Sequence, residues 1–250
     1  VGFPKCGTST LMHYFSNSPE IQFPKYERCE LGNDRQVPLI RDMYESFAAG
    51  DYVRGIKCPQ SLENDLSKKN FETFFPNTDF IVGIRHPIKW FESFYNHRIQ
   101  NSKKMKPWEK LIGDCGKRTW GVCTNRASFH ATLSRLGKTN FTTEECKLFP
   151  QWAQRNFGEK LNMNNRVFFY DVEQLNDKNE TRAKLFRKDL QRFLYLRHEP
   201  PPMVWYKPGR KMMTEQYQKT VDKSKINICD DEFIVLRKEL LGHAVNVSKW

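Results

Sequence analysis

Gly2-Phe3-Pro4-Lys5-Cys6-Gly7-Thr8-Ser9-Thr10-Leu11 decides how this chain folds. The stretch lies between Val1-Gly2-Phe3, the tail of an apolar strand, and a helix pattern through Leu11, Met12, Tyr14 and Phe15. A glycine turn that leaves a strand and opens a helix suits phosphate. Gly7 lets the backbone approach a ligand, successive N–H groups point inward, and the helix N-terminus adds positive potential. Lys5 brings a cation, Thr8 and Ser9 bring hydroxyls, and Cys6 and Thr10 complete the ligand-facing run. The nucleoside-triphosphatase version of such a loop carries its lysine directly after the second glycine. Thr8 occupies that place here, and the only lysine of the loop is Lys5.

Working outward, the same alternation recurs. Pro38 opens an amphipathic helix (Leu39, Ile40, Met43, Tyr44, Phe47) that Gly50 closes, and residues 52–57 read as a short strand. A helix around Phe71 to Phe75 stops at Pro76. Phe80-Ile81-Val82-Gly83-Ile84-Arg85 is a nearly continuous apolar run, as expected of a strand buried on both faces. Pro87 stands at the first position of the next helix, with Trp90, Phe91, Phe94 and Tyr95. From about 103 to 146 the pattern gives way to basic, Gly- and Thr-containing sequence, read as an acceptor-side insertion. Further on come a helix near 149–157, a strand over 166–170, a charged helix over 181–196 and a last helix over 231–241. Strands alternating with helices imply an α/β fold: three α/β/α layers around a central parallel sheet, of the P-loop nucleotide-binding type. Ligands of such folds bind beyond the carboxyl ends of the strands. The expectation is one domain over 1–250, truncated at its N-terminus and excised from a larger parent.

A second element adds to the first loop. Arg85-His86-Pro87 through Ser93 and Tyr95 spans a strand-to-helix junction, with Arg85 at the strand end and Ser93 two turns into the helix. Arginine offers a planar fork to phosphate oxygens and serine a hydroxyl. An arginine at a strand end and a serine on a helix are each ordinary alone; together with the first loop they are not.

The loop P-K-x-G-T-S and the R-x-P-x-x-x-x-x-S-x-Y element, both present as quoted, resemble the 5'-phosphosulfate and 3'-phosphate elements of sulfotransferases that use 3'-phosphoadenosine 5'-phosphosulfate (PAPS). In feel the chain is nearest to the Golgi carbohydrate, heparan-type members. The resemblance implies transfer of a sulfuryl group from PAPS to an acceptor hydroxyl or amine, leaving 3'-phosphoadenosine 5'-phosphate (PAP), without a metal. It implies that Lys5 contacts the oxygen bridging phosphate and sulfate. It places a base at Glu27, within Pro24-Lys25-Tyr26-Glu27-Arg28, although Cys29 stands where the family has a histidine. Glu30 and His13 are the fallback bases, and an ion pair of Arg28 with Glu27 is the plain alternative. The family's Lys-x-Pro at a strand end matches Lys57-Cys58-Pro59, which makes Lys57 a catalytic candidate. A basic loop closing over the nucleotide matches Lys223-Ser224-Lys225, with Tyr206-Lys207-Pro208-Gly209-Arg210 as a competitor.

Composition narrows the partners without choosing one. Lys plus Arg number 41 against 29 acids, a net charge of +12, and mean hydropathy is −0.73. Such a field attracts polyanions. No run approaches the roughly 18 apolar residues of a membrane span. The seven cysteines contain no C-x-x-C pair; Cys115, Cys123 and Cys146 fall in one polar segment, as a disulfide or as free thiols. Three N-x-S/T triplets begin at Asn140, Asn179 and Asn246. With the cysteines they favour the Golgi lumen, the cytoplasm coming second; the resemblance, through the position of Glu27, adds a type II membrane-anchored parent and a glycan rather than a nucleic acid as partner. Two rivals remain. A P-loop kinase or nucleotidase would need a lysine after Gly7 and a magnesium-binding acid, for which Asp171 stands at a strand end. A non-enzymatic basic module that binds polyanions would explain the charge and leave both phosphate motifs as coincidence.

Overall fold

In the computed structural model, residues 2–101, 105–115, 121–133, 165–204, 206, 222 and 224–249 are described. The main elements in chain order are α1 (Thr8–Ser16), β1 (Ile21–Gln22), α2 (Gln36–Ser46), β2 (Val53–Arg54), α3 (Asp65–Phe74), β3 (Phe80–Ile84), α4 (Pro87–Gln100), α5 (Phe129–Leu133), β4 (Val167–Asp171), α6 (Glu180–Phe193) and α7 (Ile234–Lys249). The helix expected near 149–157 lies outside the described residues. By its contacts the chain falls into two compact units, Val1–Arg85 with Met163–Pro208, and His86–Asn162 with Gly209–Trp250.

The first unit carries the strands, and every pairing is parallel. β1 pairs with β2 (Ile21 beside Val53), and β3 pairs with β4 from Phe80 beside Val167 to Ile84 beside Asp171. Gly2 makes a parallel bridge to Gly83, which brings the phosphate loop out beside the end of β3. Parallel neighbours need crossovers, and helices supply them. The α/β character read from the sequence is therefore present, in two short sheets. Packing explains the positions. Leu11, Tyr14 and Phe15 of α1 meet Tyr170 of β4 and Phe186 and Leu190 of α6 in one buried cluster. Burying such side chains contributes about 1.5–3 kcal/mol each. Glu20 ties the turn after α1 to the segment after α6, accepting from the backbone N–H groups of Arg197 (2.9 Å) and His198 (3.0 Å). Those bonds hold its pKa down at about 2.

An apolar cavity of about 400 Å³ also lies in this unit, lined by Phe15, Phe23, Val53, Phe80 and Ile81 among others, and reaching Thr8 and Lys57. Its greasy walls differ in kind from the cationic loop.

In the second unit, Trp90 of α4 packs edge-on against Phe129 of α5, with ring centroids 5.4 Å apart. Asn96 brackets the backbone of Ile226, donating to its carbonyl (2.8 Å) and accepting from its N–H (2.9 Å). Ser128 Oγ lies 2.7 Å from His243 Nδ1 of α7. Of the sequence region taken as an insertion, residues 105–115 and 121–133 are described. They form short 3-10 turns and α5, and a disulfide joins Cys115 to Cys123. Cys146 lies outside the described residues. Among the described residues no helix is long and apolar enough to cross a membrane.

Candidate active site

The loop after Gly2 is held in an uncommon shape. Lys5 has φ 65° and Gly7 φ 76°, both left-handed, with Cys6 between them. That region is natural for glycine and costs a lysine roughly 1–3 kcal/mol, a cost that persists only where the surroundings impose the conformation. Here they do. The Tyr170 hydroxyl donates to the Cys6 carbonyl at 2.8 Å inside the core, and Arg85 Nη1 donates to the Lys5 carbonyl at 3.3 Å. Gly83 is needed beneath the loop because a Cβ there would stand 2.6 Å from the Cys6 carbonyl oxygen. Cys6 itself is buried, and burial pushes its thiol pKa well up.

Gly7 is also the N-cap of α1. It supplies no capping side chain, and the first turn of the helix holds no acid. α3 and α6, by contrast, are closed by Asn64 and Asn179. The uncapped end leaves α1's N–H groups and positive dipole end available to an anion. Thr8 and Thr10 are buried, and Thr10 Oγ1 donates to the Tyr206 carbonyl at 3.1 Å. Ser9 faces a second group of residues. Lys57, only 5% exposed, donates to Ser9 Oγ at 2.9 Å and is ion-paired with Glu27. The Glu27 side chain stays 51% exposed.

Positive charge dominates this corner. Burial lowers the Lys5 pKa first, and the nearby cations of Arg85 and Lys57 lower it further. Arg85 Nε is buried and has no hydrogen-bond partner among the described residues. Mutual repulsion of half-buried cations, an orphaned donor and an uncapped helix end all fit a multiply charged anion such as the phosphosulfate of PAPS.

The structure brings Lys5, Cys6, Gly7, Thr8, Ser9, Thr10, Arg85, Lys57 and Glu27 into one region of the first unit. Arg28 does not pair with Glu27; it bridges Glu30 (2.8 Å) and Asp42 (2.6 Å). That pairing occupies Glu30, one of the fallback bases. The other, His13, is exposed and stacks on Tyr206 at 4.2 Å. Ser93 lies on α4 and Lys225 before α7, both in the second unit, and Lys225 pairs with Asp222. Lys223 lies outside the described residues, as do Lys207, Pro208, Gly209 and Arg210 of the competing loop. Asp171, the acid that a kinase would use for magnesium, is the N-cap of the turn after β4, accepting from Glu173 N–H at 2.7 Å. Among the described residues no three His, Cys, Asp or Glu side chains are grouped to hold a metal ion.

Sequence reasoning missed two features. The Tyr170 latch carries no local signal. The Cys29–Cys58 disulfide had one: Cys29 follows the candidate acid by two residues and Cys58 follows the candidate lysine directly.

No protein-family model matches the chain, and no curated protein matches it in sequence. Among solved structures it is similar to the crystal structure of a sulfotransferase from Alicyclobacillus acidocaldarius. Identity is 13%, the match covers 98% of this chain and 94% of that chain, and the TM-score is 0.50. At that identity the likeness shows the fold.

Proposed function

We propose that this chain is a PAPS-dependent sulfotransferase built on a three-layer P-loop fold, moving a sulfuryl group to an acceptor hydroxyl or amine. One observation carries the reading: a strained, helix-opening loop whose lysine, Lys5, stands near both Arg85 and Lys57, the latter bonded to Ser9 and paired with Glu27. Lys5 and the N–H groups of residues 7–9 would hold the 5'-phosphosulfate, and Arg85 the 3'-phosphate. When bound, PAPS supplies the activated sulfuryl group. Lys57 and Lys5 would stabilise the negative charge of the departing phosphate. Glu27, exposed at the edge of this cluster, takes the acceptor proton.

A carbohydrate acceptor is the preferred class, resting on the resemblance at Glu27. A Golgi-lumenal place for a membrane-anchored parent is supported by the two disulfides, since such bonds persist in oxidising compartments. Of the glycosylation triplets, Asn179 is exposed but caps α6, and Asn246 is exposed on α7.

The test is transfer of labelled sulfate from PAPS to a panel of glycans by wild-type and Glu27→Gln chains. Glu27→Gln is expected to lose about 10²–10⁴-fold in turnover while still binding PAP. Normal turnover by that variant would remove Glu27 from the base role.

A further inference from the structure

Glu27 and Lys57 meet although neither sits on regular structure. Residues 23–29 form no helix or strand, and β2 ends at Arg54, three residues before Lys57. Something other than a helix or a ladder must set their separation. Two ties between the segments are present. Arg28 N–H donates to the Lys57 carbonyl at 2.9 Å, and Cys29 is bonded to Cys58 with Cα atoms 5.1 Å apart. The covalent tie falls two residues after Glu27 and directly after Lys57. Cys58 is itself buried and Cys29 partly so.

We propose that the Cys29–Cys58 disulfide is a positioning element for the Glu27–Lys57 pair, so that turnover depends on its oxidation. The inference rests on the roles given to Glu27 and Lys57 above. Without the bridge, the backbone hydrogen bond from Arg28 and the Glu27–Lys57 ion pair itself are left to join an irregular segment to the stretch after β2. Displacement of about 1 Å at a reacting centre costs on the order of 100-fold in rate. Nucleotide binding is expected to change little: the link reaches the loop through the Lys57–Ser9 hydrogen bond, while Arg85 and the Lys5 carbonyl keep their own bond. Reduction by a dithiol converts the bridge to two thiols and the reagent to its own disulfide, so the change is reversible by an oxidant.

The experiment uses the chain with C115S/C123S as background, which leaves Cys29–Cys58 as the bridge among the described cysteines, and compares it with the same chain carrying C29S/C58S. Three quantities are read: acylation of Lys57 by an amine-reactive label, PAP affinity by calorimetry, and kcat with PAPS. On reduction, Lys57 labelling is expected to rise severalfold and kcat to fall about 100-fold, PAP affinity staying within about twofold. Reoxidation is expected to restore both, and C29S/C58S to behave as the reduced chain throughout. If C29S/C58S does not fold, reduction of the folded background below its melting temperature reads the same quantities. Unchanged Lys57 labelling on reduction would overturn the positioning role. So would unchanged kcat in a chain that does turn over. An oxidised chain that neither binds PAP nor uses PAPS, yet loosens Lys57 on reduction, would instead reject the sulfotransferase reading and leave the bridge as the clamp on that ion pair.

Discussion

Lys5 carries two costs at once: a left-handed backbone and a half-buried charge beside two other cations. Strain of this kind survives where a conformation serves a ligand. The two costs separate by substitution. Lys5→Gly suits φ 65° better than lysine does, so thermal stability should hold or rise by up to about 1 kcal/mol. PAP affinity should nonetheless fall about 10–100-fold, as loss of a charged hydrogen-bonding group does. Melting curves and calorimetry on the one variant check both; a glycine variant that binds PAP as well as wild type would show that Lys5 only shapes the turn. The loop residues were legible in the sequence because their chemistry depends on local order, strand to glycine turn to helix. Tyr170 was not, because its hydroxyl reaches Cys6 from 164 positions away, and an aromatic in a buried strand reads only as core.

Elements were legible where periodicity was long. β3 and α4 fall where the apolar run and the Pro87 start place them. α2 begins at Gln36, before Pro38, and ends at Ser46, short of Gly50, because Phe47 turns extended. β1 is only two residues long and offers no alternation to detect. α7 outruns its expected end near Leu241, continuing through Gly242 to Lys249, since a glycine on an open helix face does not interrupt the backbone ladder. α5 and α7 meet at a histidine pair. His130 has neither ring nitrogen hydrogen-bonded among the described residues, and burial first, then His243, lowers its pKa to about 4. Burial lowers His243 as well. An unfolded chain takes up this proton below its ordinary pKa of 6.5, whereas the folded chain resists until about 4. Stability from this group is therefore complete above pH 6.5 and is lost progressively as pH falls through that window. His130→Gln should flatten the fall in melting temperature between those pH values relative to wild type. Parallel curves for the two chains would mean that His130 is not desolvated as described.

Across the whole molecule, a net charge of +12 attracts polyanions in general and selects none of them. The fold adds where the glycine loop stands, beside the end of β3 and at the start of α1, and the likeness to a solved sulfotransferase agrees with that architecture. Acceptor choice was not legible, because specificity lies in surface contacts that no short motif encodes. Recognition of the 3'-phosphate without magnesium separates a PAPS enzyme from the kinase rival, turnover separates it from a polyanion-binding module, and PAP and AMP differ by the 3'-phosphate alone. Calorimetric titration of the purified chain with PAP and with AMP, each with and without magnesium, makes the comparison. PAP is expected to bind about 10–100-fold more tightly than AMP, as an added charged contact to Arg85 would provide, with magnesium changing neither affinity. Equal affinity for PAP and AMP, or binding only of the magnesium complex of ATP, would overturn the assignment.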